Sequence, residues 1–196
     1  FGDYFICTDN FTPFEQCEMG DRRCAIFGYG VDVVDLINKD LPKYILDNTK
    51  DLSEVIDFEA RLGGKYVIFY QDNNGYYLLG DATCSIPVYY YKGEMDFVCT
   101  SNPMLIVNLY GLTKDEKLQH IRKSGDISQA MPFDVTEYLD ILQLIPNHYL
   151  SFNNKKAVRF INFKSKEKFI SPEEAADKTA PMIKCITKFY MDNFKI

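Results

Sequence analysis

Thr83, Cys84 and Ser85 set three nucleophile-type side chains in a row, two residues after the carboxylate of Asp81. A hydroxyl or thiol attacks a carbonyl only when a neighbouring base takes its proton, and that base is most often an imidazole. The two histidines, His120 and His148, lie far along the chain from this bend. The bend therefore reads as a strand break whose hydroxyls are satisfied locally, with Asp81, Thr83 and Ser85 kept as candidate binding residues and no catalytic role assigned. Six cysteines, at positions 7, 17, 24, 84, 99 and 185, show no C-x-x-C spacing and read as reduced thiols rather than a disulfide framework. No cysteine or carboxylate spacing completes a ligand set around either histidine, so no metal site is predicted. Gly28-Tyr29-Gly30 is the remaining candidate, a stretch whose glycines give the backbone unusual freedom.

The elements that must position the bend run from Leu62 to Tyr91. Tyr66 to Tyr70 is an unbroken β-branched and aromatic run, the pattern of a strand covered on both faces. Asp72-Asn73-Asn74-Gly75 tolerates positive φ and predicts a tight hairpin returning through Tyr76 to Leu79. Gly80-Asp81 breaks that strand, and Pro87 restricts the next to a start, an edge or a bulge. Val88 to Tyr91 and Met95 to Thr100 follow, joined by a turn at Lys92-Gly93-Glu94. The spacing predicts all four as one antiparallel meander.

Upstream, Tyr4 to Thr8 predicts an opening strand that buries Cys7, and Arg23 to Phe27 a second that Gly28-Tyr29-Gly30 ends. Short helices are predicted over 32–39 and 42–47. Asp51-Leu52-Ser53-Glu54 starts another, which Gly63-Gly64 stops. Downstream, Ser101-Asn102 caps a helix from Pro103 to about Tyr110, and Thr113 with Glu116 boxes one ending near Gly125. Residues 126–142, with Met131-Pro132, read as loop and a short helix. His148 to Phe152 and Ala157 to Ile161 alternate around Asn153-Asn154 and predict a hairpin with a primed turn. Ser171-Pro172-Glu173-Glu174 starts a final helix with a predicted apolar stripe of Ala176, Ala180, Ile183, Ile186, Tyr190 and Phe194.

A chain of 196 residues suffices for one core that buries about 70% of its unfolded surface. Its 22 basic residues are outnumbered by 28 acidic ones, for a net charge of -6, and no basic cluster exceeds Lys155-Lys156. Binding along a phosphate backbone is thereby excluded. No apolar run approaches the ~20 residues of a membrane span, so no membrane association is predicted and a cytoplasmic location is the expectation. The 14 tyrosines and 15 phenylalanines read as core and sheet-face packing rather than a platform for bases or sugars.

Gly80-Asp81-Ala82-Thr83-Cys84-Ser85-Ile86-Pro87-Val88-Tyr89-Tyr90 resembles the segment RDxxGxxPLYY of asparagine synthetases and related class II glutamine amidotransferases. Ser101-Asn102-Pro103 is similar to their SE-L segment, and Leu144-Ile145-Pro146-Asn147-His148-Tyr149-Leu150 to their L-x-PGHYL. The matches come in the family's order and cover roughly Leu62 to Phe160. The resemblance implies an α+β fold, an N-terminal nucleophile (Ntn)-hydrolase-like αββα sandwich of two stacked antiparallel sheets between helices. It implies a glutaminase-like domain over 1–165 and a helix over 166–196 leading to a C-terminal synthetase domain. ATP and magnesium are expected only in that absent domain, with no cofactor in this fragment. The implied partners are that synthetase domain and a peptide or carbohydrate substrate, with homodimerisation open.

The family's apparatus for attacking carboxamides does not follow the scaffold. Its nucleophile is a cysteine at the first position of the mature chain, with its own α-amine as base; here the chain as given begins at Phe1, and Cys7 falls in a predicted strand. Arg22, Arg23, Arg61, Arg122 and Arg159 all lack the glycine that follows the carboxylate-binding arginine in the family's RGPD segment. Gly28-Tyr29-Gly30 stands where an oxyanion-stabilising Asn-Gly pair is expected, and Asn74-Gly75 belongs to a hairpin turn. The resulting expectation is a non-catalytic domain of an asparagine synthetase-like, ATP-dependent amide-forming protein. Two alternatives stay open: an amide hydrolase using Cys84 or a processed Cys7, and a module that binds a peptide or carrier partner.

Overall fold

The computed structural model describes residues 1–93, 96–124, 133–160 and 171–193. In chain order the elements are β1 (Phe14–Met19), β2 (Arg22–Asp32), α1 (Leu41–Asn48), α2 (Leu52–Glu59), β3 (Leu62–Asp72) and β4 (Gly75–Gly80). They continue as β5 (Tyr89–Lys92), β6 (Phe97–Thr100), α3 (Pro103–Tyr110), α4 (Glu116–Ser124), β7 (Ile141–Gln143), β8 (His148–Ser151), β9 (Lys156–Arg159) and α5 (Pro172–Asn193). The fold is mixed α+β. Among the described residues its strands form two antiparallel sheets, in the orders β1-β2-β3-β4-β8-β9 and β6-β5-β7. The chain divides into two compact units, Phe1–Asn74 with Ile161–Ile196, and Gly75–Phe160.

In the first unit β3 is the strand everything else covers. Tyr66 to Tyr70 are each 0–4% exposed, as their apolar run predicts. Since alternate residues point to opposite faces, both faces must be packed. One face carries α1 and α2: Leu41 closes over Gly30 beside the Tyr66 ring, and the Tyr66 hydroxyl donates to Glu59 Oε1 at 3.2 Å. On the other, Phe69 meets the rings of Phe1 and Tyr4 at 4.9 and 6.1 Å, and Tyr29 meets Phe189 of α5 edge-on at 6.2 Å. The Asp51 cap is as expected, accepting from the Glu54 amide at 3.0 Å.

Several expectations for this unit are corrected. Residues 4–8 form no strand and Cys7 is exposed; the first strand is β1, which hydrogen-bonds in the β1–β2 hairpin. Gly28-Tyr29-Gly30 does not end a strand but lies within β2, where the bare Cα of Gly30 lets Leu41 and Tyr66 approach. No helix forms over 32–39: Asp32 closes β2 and residues 33–36 turn, because Asp32 Oδ1 accepts from the amides of Val34 and Asp35 at 2.8 and 3.0 Å and folds the chain back to the Asp32–Ile37 bridge. Gly63-Gly64 does not stop α2, which ends at Glu59, but belongs to β3. The last helix starts as predicted, with the Glu174 amide on Ser171 Oγ at 3.1 Å. Its inward stripe is Met182, Cys185, Ile186, Phe189 and Tyr190; Ile186 and Tyr190 are turned in as expected, while Ala176, Ala180 and Ile183 are exposed. Gly63 sets that rotation, since its bare Cα leaves room for Ile186.

In the second unit β4 pairs with β8 and β8 with β9, while β5 pairs with β6 on one side and β7 on the other. The four-strand meander is therefore corrected: β5 and β6 leave for the second sheet. Phe97 of β6 meets Phe152, the residue after β8, edge-on at 5.0 Å, and Leu79, Ile141, Leu144 and Leu150 of this unit are all at most 1% exposed. The helix α3 matches its prediction, with Asn102 Oδ1 accepting from the Met104 amide at 3.0 Å and Gly111 closing it at φ 64°. The cap of α4 is Asp115, not Thr113: Asp115 Oδ1 takes the amides of Lys117 and Leu118. The β8–β9 hairpin forms, but Phe152 to Lys155 make a four-residue connection with only Lys155 at positive φ, so the primed turn is not adopted.

Glu94, Met95, Gly125, Met131-Pro132, Ile161, Phe194 and the expected boundary at 165/166 lie outside the described residues.

Close backbone approach is the fold's most exposed weakness. A Cβ on Gly64, at φ 135°, would sit 2.2 Å from the carbonyl oxygen of Tyr29, whereas one on Gly111 would meet open space. Gly64→Ala is expected to destabilise by about 3 kcal/mol and Gly111→Ala by about 1 kcal/mol, read from urea-unfolding midpoints.

Candidate functional site

Asp81 follows Gly80 at the end of β4 and is 4% exposed. The chain then folds around its carboxylate. Asp81 Oδ1 accepts from the Thr83 amide at 3.0 Å and the Thr83 hydroxyl at 2.8 Å. The Ser85 amide lies 3.1 Å from both carboxylate oxygens, and the Ser85 hydroxyl 3.1 Å from Oδ1. The two hydroxyls are themselves 2.7 Å apart. Cys84, between them, takes φ 50° and donates its amide to the Asp81 carbonyl at 2.8 Å. Its Sγ would lie 3.1 Å from a Cβ on Gly80, which accounts for glycine there.

Burial by itself raises the Asp81 pKa, but the hydrogen bonds from Ser85 and Thr83 outweigh it and hold the carboxyl below its ordinary value. A carboxylate so stabilised is a weak base at neutral pH. It orders Thr83 and Ser85 rather than activating them. The three predicted residues of this bend are thus brought together, and what they build is a tight loop folded on the Asp81 carboxylate.

Gly28, Tyr29 and Gly30 belong to the other unit, inside β2. Gly28 has φ 91° and donates its amide to the Pro13 carbonyl at 2.8 Å, while Gly30 stands opposite Gly64. That amide is consumed within the protein and is not presented to a ligand. Arg61 is consumed likewise: its guanidinium contacts Asp32 Oδ2 at 2.8 Å, hydrogen-bonds Asp35, and lies over the Phe58 ring at 5.0 Å. Asp35 also accepts from the Tyr44 hydroxyl at 2.5 Å, and Tyr44 and then Arg61 hold its carboxyl below the usual range.

This Asp32–Arg61–Asp35–Tyr44 network was not found in the sequence. Its members are up to 29 positions apart, and only the Asp32-x-x-Asp35 turn left a local trace. Two carboxylates against one guanidinium leave no free positive charge to receive a substrate carboxylate. No protein-family model matches the chain, and no curated protein matches it. Among the described residues no cluster of three histidine, cysteine or acidic side chains could hold a metal ion, and no helix is long and apolar enough to cross a membrane.

Asp81→Asn tests whether the bend is scaffold. Because the folded pKa lies below the unfolded one, the carboxylate's contribution is fully present above pH ~4 and is lost as pH falls through the folded value. The variant is expected to be less stable by about 1–3 kcal/mol at pH 7, with the two stabilities converging as pH falls through the folded value.

Proposed function

We propose that this chain is a non-catalytic, glutaminase-like domain of Ntn sandwich type from an asparagine synthetase-like protein that forms amides with ATP. The observation that carries the reading is the position of the three family-like segments. Gly80–Tyr90 is the bend from β4 into β5, Ser101-Asn102-Pro103 is the cap of α3, and Leu144–Leu150 leads from β7 into β8. All three are joints of one unit, where a scaffold's sequence requirements concentrate. The second unit's two sheets, meeting through Phe97 and Phe152, are compatible with a stacked architecture.

The loss of glutaminase chemistry is supported by the neighbouring geometry. Arg61 is neutralised by Asp32 and Asp35, and the Gly28 amide is spent on Pro13. The domain's role is then to hold its own synthetase partner and shape the path to it, with ATP and magnesium acting in that partner. A peptide or carbohydrate acceptor fits this role, and homodimerisation is compatible with it. A second reading has one observation in its favour: Cys7 is exposed and outside any strand, which would allow processing to begin the chain at that thiol. A cytoplasmic location fits both readings.

Incubation of the full-length parent with glutamine decides between them. Glutamate release at the buffer rate, unchanged by Cys7→Ala, is expected. Release abolished by that substitution, together with an intact mass beginning at Cys7, would establish the second reading instead. The first also requires an SGGxDS phosphate loop C-terminal to these residues in the parent.

A further inference from the structure

The β1–β2 hairpin turns at Gly20-Asp21, with Gly20 at φ 60°, and its register sets Cys17 directly opposite Cys24. From the turn, pairs alternate, so Met19–Arg22 and Cys17–Cys24 are the hydrogen-bonded type, whose Cα atoms lie about 5.5 Å apart. That separation falls inside the ~4.4–6.8 Å span of a disulfide. Opposite partners project to the same face. Here it is the face under α1, for Glu15, two residues before Cys17, accepts from the Leu41 amide at 3.2 Å. Both thiols are free in the structure, and no other cysteine has a cysteine as its strand partner among the described residues.

We propose that Cys17 and Cys24 form a redox-modified site, a dithiol that closes to a cross-strand disulfide when hydrogen peroxide is the oxidant. Cys17 is half-buried on a strand with only one neighbour in its sheet, whereas Cys24 is fully buried. Burial, and secondarily the charge of Cys17, pushes the Cys24 thiol far above its ordinary range, so Cys17 meets the oxidant first. Its thiolate attacks one peroxide oxygen, the O–O bond breaks, and the departing hydroxide takes a proton and leaves as water. The Cys24 sulfur then attacks the Cys17 sulfenic acid. The S–O bond breaks and the hydroxyl leaves as a second water with the Cys24 proton. Two thiols are oxidised to one disulfide, and one peroxide is reduced to two waters. Cβ atoms of opposite partners ordinarily sit about 4.5–5.5 Å apart and must close to about 3.8 Å, so the bond is strained and readily reduced. Reversibility is the consequence.

Peptide mapping of the natively oxidised chain tests this. In a Cys7→Ser background, the protein is treated with hydrogen peroxide, alkylated in denaturant and cut with trypsin, which cleaves at Arg22 and Arg23 between the two thiols. The expected product joins the fragment ending at Arg22 to the one beginning at Cys24, and dithiothreitol separates them. With Cys17→Ser added, Cys24 is expected to stay alkylatable at the same exposure. Cys17 halted at sulfenic or sulfinic acid beside an alkylatable Cys24, or linked to another cysteine, would overturn the proposal.

Discussion

A strand buried on both faces is the constraint from which the first unit follows. Tyr66 to Tyr70 supply three aromatic rings and two branched aliphatic side chains, and each aromatic ring offers about 150–250 Å² of surface to cover. One helix layer cannot do this, so α1 and α2 take one face while α5 and the aromatic segment around Phe1 and Tyr4 take the other. Packing at that density leaves no tolerance for extra atoms where backbones meet. Gly30, Gly63 and Gly64 therefore read as three contacts rather than three flexible points: with Leu41, with Ile186, and with the Tyr29 carbonyl. The buried Tyr66 hydroxyl adds a polar requirement, met by Glu59 and the Leu62 carbonyl.

What the sequence revealed and what it concealed divide along contact range. Helix starts at Asp51, Asn102 and Ser171 are set by an acceptor and an amide two or three residues apart, and all were legible. The double burial of β3 was legible because an uninterrupted apolar run leaves no wet face. Sheet membership was not. Alternation in β5 and β6 is the same whether they continue a meander or leave it, and only the pairing of β5 with β7 across about fifty residues decides. The face of α5 was misread for a related reason. The expected stripe held Ile183 and Ile186 together; the space left by Gly63, some 120 positions earlier, takes Ile186 and leaves Ile183 exposed.

The candidate site follows the same division. Asp81, Thr83 and Ser85 were found because the loop that uses them is local, spanning five residues. Nothing local connects Asp32 to Arg61, and nothing in the spacing of Cys17 and Cys24 announces a shared face until the turn at Gly20-Asp21 fixes the register. Gly28-Tyr29-Gly30 was misread as a strand end because one reason was taken for both glycines: backbone freedom holds at Gly28, at φ 91°, whereas the close approach of Leu41 is the reason at Gly30.

One habit of this chain bears on its chemistry more than any single residue. Asp9 accepts the amides of Phe11 and Thr12, Asp32 those of Val34 and Asp35, Asp72 that of Asn74, Asp81 those of Thr83 and Ser85, and Asp115 those of Lys117 and Leu118. An aspartate that accepts amides two to four residues ahead turns or caps the chain, and at Asp9 and Asp81 these bonds hold the carboxyl below its ordinary value. General acid–base catalysis needs the opposite, a carboxyl whose proton is poised near neutral pH. Directing its acids into turns gives the chain well-defined corners, and at Asp9 and Asp81 it leaves the carboxylate a weak base at neutral pH.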